Sequence, residues 1–398
     1  MNSGRFFVGQ RVILDDRHLG TVRFSGRVEG QDPEQIWLGI EWDDPTRGKH
    51  SGQFKNGPIL FRPLIPNSAT FIKPSARLGA GRSFLKALKE KYLDQELLSP
   101  DSHLSAALHI AQNEENAMRK VALRFSCLDR LRLIGLEFSR INGAGNELEV
   151  AELDGLLTSV ETLNLSSNMF SDLDEVSTIA RKMPQLRTLV LSSNRFQFIP
   201  ETLSGLSAVK ILYLDSTLLT WEQVTVSPTS HAIKIARQIE GLAELSLSKC
   251  RISHFGPSDV SIRGAHLCEN LSALTLDENG LENWQDLMLG LKLFQRLQHL
   301  NLRRNRLKIT SVENAAMALS SIQQLSLVGN MIAKGREIDD LRDWLPSLSS
   351  LFLDGNPLYD GRNGGTGLLL GHDVRKNRLL VLARYPTLAH LDGSQVRY

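Results

Sequence analysis

The chain is poor in cysteine and has no long hydrophobic run. Only three cysteines occur among its 398 residues (Cys127, Cys250 and Cys268), and no two of them form a CxxC pair. So sparse and odd a set argues against a disulfide scaffold or a thiolate zinc site. No apolar stretch approaches the roughly 20 residues that span a bilayer, and Met1 to Val8 lacks the apolar core of a secretory signal. The sequence therefore predicts a cytoplasmic protein without a membrane partner.

A surplus of charge of one sign is also lacking. The 46 Lys and Arg residues nearly balance the 44 Asp and Glu residues, which leaves a net charge of +2. This balance argues against wholesale nucleic-acid binding. The sequence has no GxxxxGK[ST] loop, no GxGxxG after a strand, and neither HExxH nor GxSxG. We therefore predict a binding protein that is not an enzyme, with no cofactor and no metal.

Leucine usage divides the chain into two parts. Residues 1–80 hold only six leucines, but six of the 15 Phe and two of the five Trp. Short apolar segments there are separated by Gly and Pro, which predicts several short strands in a small all-β barrel. In residues 81–130, Leu85, Leu88 and Tyr92 follow a helical spacing, and a second helix is expected around Glu114 to Phe125.

A repeat of 23 to 33 residues runs through the rest of the chain. The pattern LxxLxLxxN/C is read first at Val160, Leu163, Leu165 and Asn168, after a weaker copy that ends at Ser139. Later copies end at Asn194, Thr217, Cys250, Asn279, Asn305, Asn330 and Asn356. This is the leucine-rich-repeat pattern, in which inward leucines stack on those of neighbouring coils. A buried donor at the Asn or Cys position is expected to satisfy backbone carbonyls at the turn.

These observations predict an α+β multidomain protein. We assign the all-β domain to residues 1–77, a helical linker and N-terminal cap to 78–130, and the repeats to 131–360. Residues 361–398 are assigned to a C-terminal cap with a helix at Val374 to Tyr385. The repeats are expected to form an α/β solenoid shaped like a horseshoe.

Residues between the inward leucines are expected to line the concave face of the solenoid. Repeat proteins commonly bind partners on this surface. A face that is merely solvated is the alternative. The candidate residues for partner contact are Tyr213, Asp215, Asp277, Asn301, Arg303, Phe352 and Asp354.

A second candidate site lies in the all-β domain. Gly48 and Gly52 bracket Lys49 and His50, so a tight loop brings two donors close to a ligand. The aromatic residues nearby are expected to wall an apolar slot, and residues 1–80 carry a charge of 11 − 8 = +3. Such a site suits a peptide with carboxylates and an aromatic end, captured at its free C-terminus. For Trp42 and Phe71, a place in the barrel core is an equally good interpretation. The predicted site consists of Phe24, Trp37, Trp42, Gly48, Lys49, His50, Ser51, Gly52 and Phe61.

Four segments of this domain resemble the CAP-Gly domain. They are Val8-Gly-Gln-Arg-Val, Gly20-Thr-Val-Arg, Trp37-Leu-Gly and Gly48-Lys-His-Ser-Gly. The resemblance implies an SH3-like barrel that binds the acidic, aromatic-ended tails of tubulin and related proteins. The loop of that family reads GKNDG, so His50 replaces Asn and Ser51 replaces Asp. Carried over by position, the resemblance assigns tail binding to Phe24, Trp37, Lys49 and Phe61.

The whole chain resembles the tubulin-folding cofactor E family, which joins a CAP-Gly domain to leucine-rich repeats. Matching segments are Phe84-Leu-Lys-Ala-Leu-Lys-Glu-Lys-Tyr, Leu219-Thr-Trp-Glu-Gln-Val, Leu353-Asp-Gly-Asn-Pro-Leu and Leu391-Asp-Gly-Ser-Gln-Val. The family ends in a ubiquitin-like domain, whereas this sequence stops at Tyr398 within the expected cap. Two interpretations are open: the sequence is truncated, or this member lacks that domain.

The resemblance implies a chaperone that binds α-tubulin and acts in assembly and disassembly of the αβ-tubulin heterodimer. The implied partners are the cofactor D–β-tubulin complex, cofactor C and a small GTPase, and the implied location is cytoplasmic and cytoskeleton-associated. One alternative is a microtubule-associated CAP-Gly adaptor whose repeats recruit a partner. Another is a general scaffold for an unrelated protein.

Overall fold

A computed structural model describes most of the chain. The described residues are 6–55, 57–92, 128–221, 238–255, 269–312, 318–359 and 374–396. The helix expected around Glu114 to Phe125 lies outside them. The chain divides into two compact units, Met1–Ala208 and Val209–Tyr398, which are described in turn.

The first unit begins with a five-stranded antiparallel sheet in the order β4-β3-β2-β1-β5. This confirms the all-β prediction for the first domain. Its strands are β1 (Arg11–Leu14), β2 (His18–Gly26), β3 (Trp37–Trp42), β4 (Ala69–Ile72) and β5 (Leu78–Gly79), with a 3-10 turn at Pro45–Arg47. Alternate residues of these strands point to one face and form the core, because side chains alternate along a strand. The core contains Val12, Val22, Leu38, Ile40, Trp42 and Leu78.

The first repeats follow in the same unit. Strands β7, β9 and β10 are parallel, and Ile134 pairs with Leu163, which pairs with Leu189. A short parallel pair of β6 and β8 lies apart from this sheet. The bounds are β6 (Arg82–Ser83), α1 (Phe84–Tyr92), β7 (Leu133–Gly135), β8 (Ile141–Gly143), α2 (Glu147–Glu152), β9 (Thr162–Asn164), α3 (Leu173–Ala180) and β10 (Thr188–Val190), with 3-10 turns at Leu128–Arg130 and Ser204–Leu206.

The five-stranded first domain contacts the first repeats directly. Arg140 after β7 pairs with the Asp16 carboxylate at 2.8 Å and also donates to the Asp16 carbonyl at 2.9 Å. Arg23 on β2 donates to the side chain of Gln197. Arg195 lies 3.9 Å from Asp43, whose carboxylate also accepts two hydrogen bonds from the buried Arg11. The sequence predicted only a helical linker between these parts, because it gives no information on such long-range pairs.

The second unit contains the remaining repeats. Six parallel strands, β11 to β16, each place one buried leucine at the middle position, and the antiparallel pair β17–β18 continues the sheet. The helix predicted at Val374 to Tyr385 is present as α6. The bounds are β11 (Ile211–Tyr213), β12 (Glu244–Ser246), β13 (Ala273–Thr275), α4 (Trp284–Leu291), β14 (His299–Asn301), β15 (Gln324–Ser326), α5 (Gly335–Trp344), β16 (Ser350–Phe352), α6 (Val374–Arg384), β17 (His390–Leu391) and β18 (Ser394–Gln395).

Buried asparagines connect consecutive repeats. Asn305 donates through its side-chain amide to the carbonyls of Leu276 (2.9 Å) and Leu302 (3.1 Å), and it accepts from the Leu281 N–H at 3.2 Å. One side chain thus satisfies two carbonyls and one N–H that the turn leaves without backbone partners. This confirms the role predicted for the Asn position. The same pattern is made by Asn168, Asn194, Asn279, Asn330 and Asn356.

Thr217 and Cys250 occupy the same repeat position with fewer bonds. The Thr217 hydroxyl donates to the Leu214 carbonyl at 2.6 Å, and the Cys250 thiol donates to the same carbonyl at 3.3 Å. Burial raises the pKa of Cys250, so its sulfur stays a neutral thiol. Cys250 therefore has a structural role as a repeat residue.

No helix within the described ranges is long and apolar enough to cross a bilayer. The α+β class is confirmed by the all-β first domain and the strand–helix repeats. The horseshoe shape and the capping role of the last helix stay predictions.

Candidate peptide-binding site

A glycine in the middle of β3 forms the floor of the candidate site. Gly39 pairs with Phe24 on β2 and with Phe71 on β4, so the two rings lie on either side of a position that has no side chain. A Cβ on Gly39 would lie 2.2 Å from the ring of Phe61 and 3.0 Å from the Cβ of Phe24. Glycine is therefore needed here for the three phenylalanines to converge.

Phe71 is the centre of an aromatic cluster. Its ring centroid lies 5.9 Å from that of Phe24, 4.8 Å from that of Phe54 and 5.5 Å from that of Phe61, in each case edge to face. Phe54 in turn contacts Trp37 edge to face at 5.0 Å. Edge-to-face pairs contribute about 0.5–1.5 kcal/mol each beyond the area they bury. The cluster thus holds Trp37 and Phe24, which are half-buried, in fixed positions at the surface.

The loop between the two glycines is held tightly against its neighbours. A Cβ on Gly48 would lie 2.0 Å from the Asn67 carbonyl, and one on Gly52, where φ is +94°, would lie 1.8 Å from the Phe61 carbonyl. The Ser51 hydroxyl donates to the Asn67 side chain at 3.0 Å and accepts from its N–H at 2.9 Å. Such close backbone approach is possible only for glycine. It confirms that Gly48 and Gly52 permit a tight loop.

His50 is fixed in one orientation. Its Nδ1 accepts a hydrogen bond from the Gly52 N–H at 3.1 Å, and its ring stacks on Phe71 with centroids 5.1 Å apart. Burial lowers the pKa of His50 below its ordinary value of 6.5, so the ring is neutral at pH 7. Because Nδ1 accepts, Nε2 carries the hydrogen of the neutral ring. The site therefore has a donor at His50 Nε2.

Three exposed lysines surround the aromatic cluster. Lys73 Nζ lies 5.4 Å from the centroid of the Trp37 ring, and Lys55 Nζ lies 5.6 Å from that of Phe54. Lys49 hydrogen-bonds through its backbone N–H to the Ala69 carbonyl at 2.8 Å, which leaves its side chain exposed. An aromatic surface with a basic edge can accept a peptide that carries both carboxylates and an aromatic side chain.

Trp42 is not part of this surface, and its assignment to the site was wrong. Only 2% of its area is exposed, and it packs in the barrel core with Leu38 and Ile40. On β3 these three residues share one face, whereas Trp37 and Gly39 share the other. The Arg47 guanidinium lies 4.6 Å from the Trp42 ring centroid and covers it.

Sequence reasoning left the central residue of the cluster undecided and missed three others. Phe71 was assigned equally to the core and to the ligand, and Phe54, Lys55 and Lys73 were not considered. The alternation of side chains along β4 could have predicted that Phe71 and Lys73 share a face, because they lie two residues apart. The approach of Phe54 depends on a loop that no local pattern predicts.

In the second unit, two acidic residues that were predicted for the concave face already accept hydrogen bonds from neighbouring repeats. Asp215 accepts from the Ser246 hydroxyl at 2.5 Å and from the Ser248 N–H at 2.7 Å. Asp277 accepts from the Arg303 N–H at 2.7 Å. Burial raises the pKa of Asp277, and this hydrogen bond only partly offsets the effect.

The other face candidates differ in exposure. Arg303 donates to the Ser326 hydroxyl at 2.8 Å and Asn301 donates to the Thr275 hydroxyl at 3.2 Å. Asp354 is exposed, and Tyr213 and Phe352 are half-buried. All seven candidates lie at the ends of strands of one sheet or in the turns that follow, and their contact with a partner stays a prediction. Among the described residues, no group of three or more His, Cys, Asp or Glu side chains could hold a metal ion.

Comparison with known proteins agrees with both domains. Residues 8–77 match the family model of the CAP-Gly domain, and residues 158–219 match that of a leucine-rich repeat. The chain is 28% identical over 407 residues to a protein named tubulin-folding cofactor E from Arabidopsis thaliana, which covers 98% of this chain and 71% of that protein. It is 28% identical over 399 residues to tubulin-specific chaperone E of Danio rerio, covering 98% and 69%.

The chain is similar to proteins named tubulin-folding cofactor E or tubulin-specific chaperone E. This confirms the resemblance identified in the sequence, which extends over nearly the whole chain. The names of these relatives denote folding cofactors and chaperones and no enzymatic reaction. Among solved structures, human 5T4 (trophoblast glycoprotein) is similar with a TM-score of 0.40 and 21% identity, covering 58% of this chain and 80% of that one. That similarity is too low to bear on function.

Proposed function

We propose that this relative of cofactor E is a tubulin-folding chaperone. Its CAP-Gly domain binds the acidic C-terminal tail of α-tubulin, and its repeats bind the folded body of the same subunit. The observation that carries the proposal is the Phe71-centred aromatic cluster with lysines over Trp37 and Phe54. The names of the relatives support tubulin as the partner.

Each part of the site has a role in this proposal. The half-buried faces of Trp37 and Phe61 pack against the aromatic end of the tail. Lys49 and Lys73 attract its carboxylates, and the Nε2–H of His50 donates one hydrogen bond to them. Gly48 and Gly52 keep the loop backbone close to the ligand.

The wider function follows the family resemblance. The chaperone works with the cofactor D–β-tubulin complex, cofactor C and a small GTPase in assembly and disassembly of the αβ heterodimer. It acts in the cytoplasm in association with the cytoskeleton. The CAP-Gly domain occupies residues 1–77, the linker and N-terminal cap 78–130, the repeats 131–360 and the C-terminal cap 361–398.

Calorimetry with a synthetic peptide of the α-tubulin tail tests the first binding site. We expect Lys49→Ala and Trp37→Ala, each in the full chain, to weaken binding about tenfold or more, as truncation of a central interface residue commonly does. Lys308→Ala is the matched control, because it removes the same charge from an exposed lysine in the second unit and should leave affinity unchanged. Unchanged affinity in both site variants would refute the tail-binding site.

Size-exclusion chromatography of the full chain with tubulin tests the chaperone activity. A soluble complex with tubulin, or loss of the intact heterodimer peak, is expected. Co-sedimentation with stabilised microtubules without either effect would instead support the adaptor function.

A further inference from the structure

The sheet of the second unit has a cavity at the edge where its strands begin. Its volume is about 410 Å³. Four of the residues that line it form one row across adjacent parallel strands, because they pair in register. This row consists of His299 on β14, Gln324 on β15, Ser350 on β16 and His390 on β17. We call the cavity the row pocket.

The side chains of the row point to one face of the sheet. Residues in register on neighbouring strands share a face, and strands lie about 4.8 Å apart, so the row is about 14 Å long. Gln323 extends the wall at one side, and the half-buried Phe352 adds an apolar surface. These dimensions suit a short extended segment of another chain rather than a single ion.

The row side chains have unused hydrogen-bonding capacity. Within the part of the chain that the structure describes, the imidazoles of His299 and His390, the amide of Gln324 and the hydroxyl of Ser350 have no protein partner. Each of these groups can donate, and each imidazole has at least one ring N–H in either protonation state. Four groups that can donate thus line one cavity.

Acidic side chains lie outside the lining of the row pocket, although the same register row carries Glu244 on β12, two strands (about 10 Å) from His299. None of the described residues that line it is Asp or Glu. Asp392 is next to the lining residue Gly393. Its carboxylate already accepts hydrogen bonds from the Leu353 N–H at 2.7 Å and from the Tyr359 hydroxyl at 3.1 Å. Asp354 lies four residues after Ser350, in the turn that follows β16. A cavity that has several hydrogen-bond donors and no carboxylate of its own is complementary to a ligand that carries a carboxylate.

We propose that the row pocket binds an acidic segment of a partner protein. A Glu or Asp carboxylate of the segment accepts hydrogen bonds from Gln324 and from the adjacent His299 imidazole, and its methylene groups pack on Phe352. His390, at the other end of the row, donates to another acceptor of the same segment. For the identity of the partner the proposal rests on the proposed function: the segment belongs to the body of tubulin, outside the tail. The chemistry of the pocket does not depend on that identity.

Two variants of opposite charge at one position test the proposal. Gln324→Glu puts a carboxylate in the row, whereas Gln324→Lys puts a cation of similar length there. Binding of the full chain to αβ-tubulin whose C-terminal tails have been removed by limited proteolysis is measured by biolayer interferometry. We expect Gln324→Glu to weaken binding about tenfold or more, and Gln324→Lys to preserve or strengthen it. The control is Gln295→Glu, which adds the same charge at an exposed position outside the pocket and should change nothing.

The opposing outcomes are distinct. The acidic-segment proposal is wrong if both Gln324 variants lose the same affinity for tail-less tubulin, or if neither loses any. Tubulin binding by the parent chain would still stand. If the parent chain binds neither intact nor tail-less tubulin, the proposed function fails, and the pocket is judged with hexaglutamate peptide on the Trp37→Ala chain. Binding of that peptide that follows the charge at position 324 then supports the pocket, and absence of binding overturns it.

Discussion

His50 shows how one substitution in a loop changes the chemistry of a site. The corresponding loop of the CAP-Gly family, GKNDG, has Asn at this position, and the Asn amide can both donate and accept hydrogen bonds. In this chain the Nδ1 of His50 is occupied by the Gly52 N–H, and the ring is stacked on Phe71. The loop geometry therefore requires the neutral ring, since a protonated imidazole has no acceptor for the Gly52 N–H.

We predict that acid weakens the CAP-Gly domain through His50. Because burial places the pKa of His50 in the folded state below 6.5, the unfolded chain binds the proton first. The stabilisation is complete above pH 6.5 and is lost as the pH falls through the lower, folded-state pKa. An NMR titration of His50 in the full chain should give a midpoint below 6.5.

The variant His50→Asn isolates this effect. Thermal unfolding is compared at pH 7.5 and pH 5.5 for both chains, and the parent should lose more stability than the variant. All other titrating groups are common to the two chains. The prediction would be contradicted by equal losses of stability in the two chains, or by a His50 titration midpoint at or above pH 6.5.

The aromatic residues of β3 show what the sequence could and could not establish at this scale. Strand alternation alone separates Trp42, on the side of Leu38 and Ile40, from Trp37 on the opposite side. Proximity in sequence and aromatic character obscured this distinction. By contrast, the meeting of Phe54 and Phe61 at Phe71 depends on the path of the loop between β3 and β4, which has no periodic pattern.

At the scale of the element, the repeat is a strand followed by a turn that the asparagine closes. The residue before the Asn takes a left-handed conformation in many copies, as in Ser193 (φ 61°) and Arg304 (φ 53°). Only two copies have the glycine that this conformation favours, Gly329 and Gly355. The leucines and asparagines predicted the strands and their stacking, because their spacing follows from the fold. The left-handed backbone was not predictable, because ordinary residues adopt it, including Ser216 and Lys249, which precede Thr217 and Cys250 rather than Asn. The backbone N–H of each of these two residues donates to a carbonyl of the next repeat.

Asn305→Ala is predicted to destabilise the second unit. It leaves the buried Leu281 N–H without its acceptor, and such an unsatisfied buried group costs about 1–3 kcal/mol. It also removes one of the two donors from each of the Leu276 and Leu302 carbonyls, which keep their bonds from Asn279 and Asn330. Asn301→Ala is the matched control, because that half-buried asparagine makes one side-chain hydrogen bond on the face of the sheet. Urea denaturation followed by circular dichroism should show a much lower midpoint for the first variant. Similar midpoints for the two would mean that the buried asparagine does not hold the turn.

At the scale of the molecule, the two proposed contacts with tubulin lie in different units. The proposed tail site is built by the five-stranded first domain, which is held on the first repeats by contacts such as Arg140 with Asp16. The row pocket is built by strands of the second unit. Two sites on one chain raise the effective concentration of the second contact once the first has formed, without any new interaction. The sequence predicted two binding regions from their composition, but not this pocket, since its row depends on the register of four strands.

A double-mutant cycle on Trp37 and Gln324 measures this linkage. Against intact αβ-tubulin, we expect Trp37→Ala and Gln324→Glu each to weaken binding by about tenfold or more. The double variant should bind about as weakly as non-specific controls, because neither site retains the partner for the other. Against tail-less tubulin, Trp37→Ala should have no effect, whereas Gln324→Glu should keep its full effect. The control pair Lys308→Ala and Gln295→Glu should leave both affinities unchanged. If Trp37→Ala weakens binding to tail-less tubulin as strongly as to the intact heterodimer, the aromatic cluster does not bind the tail, and the two-site arrangement is wrong.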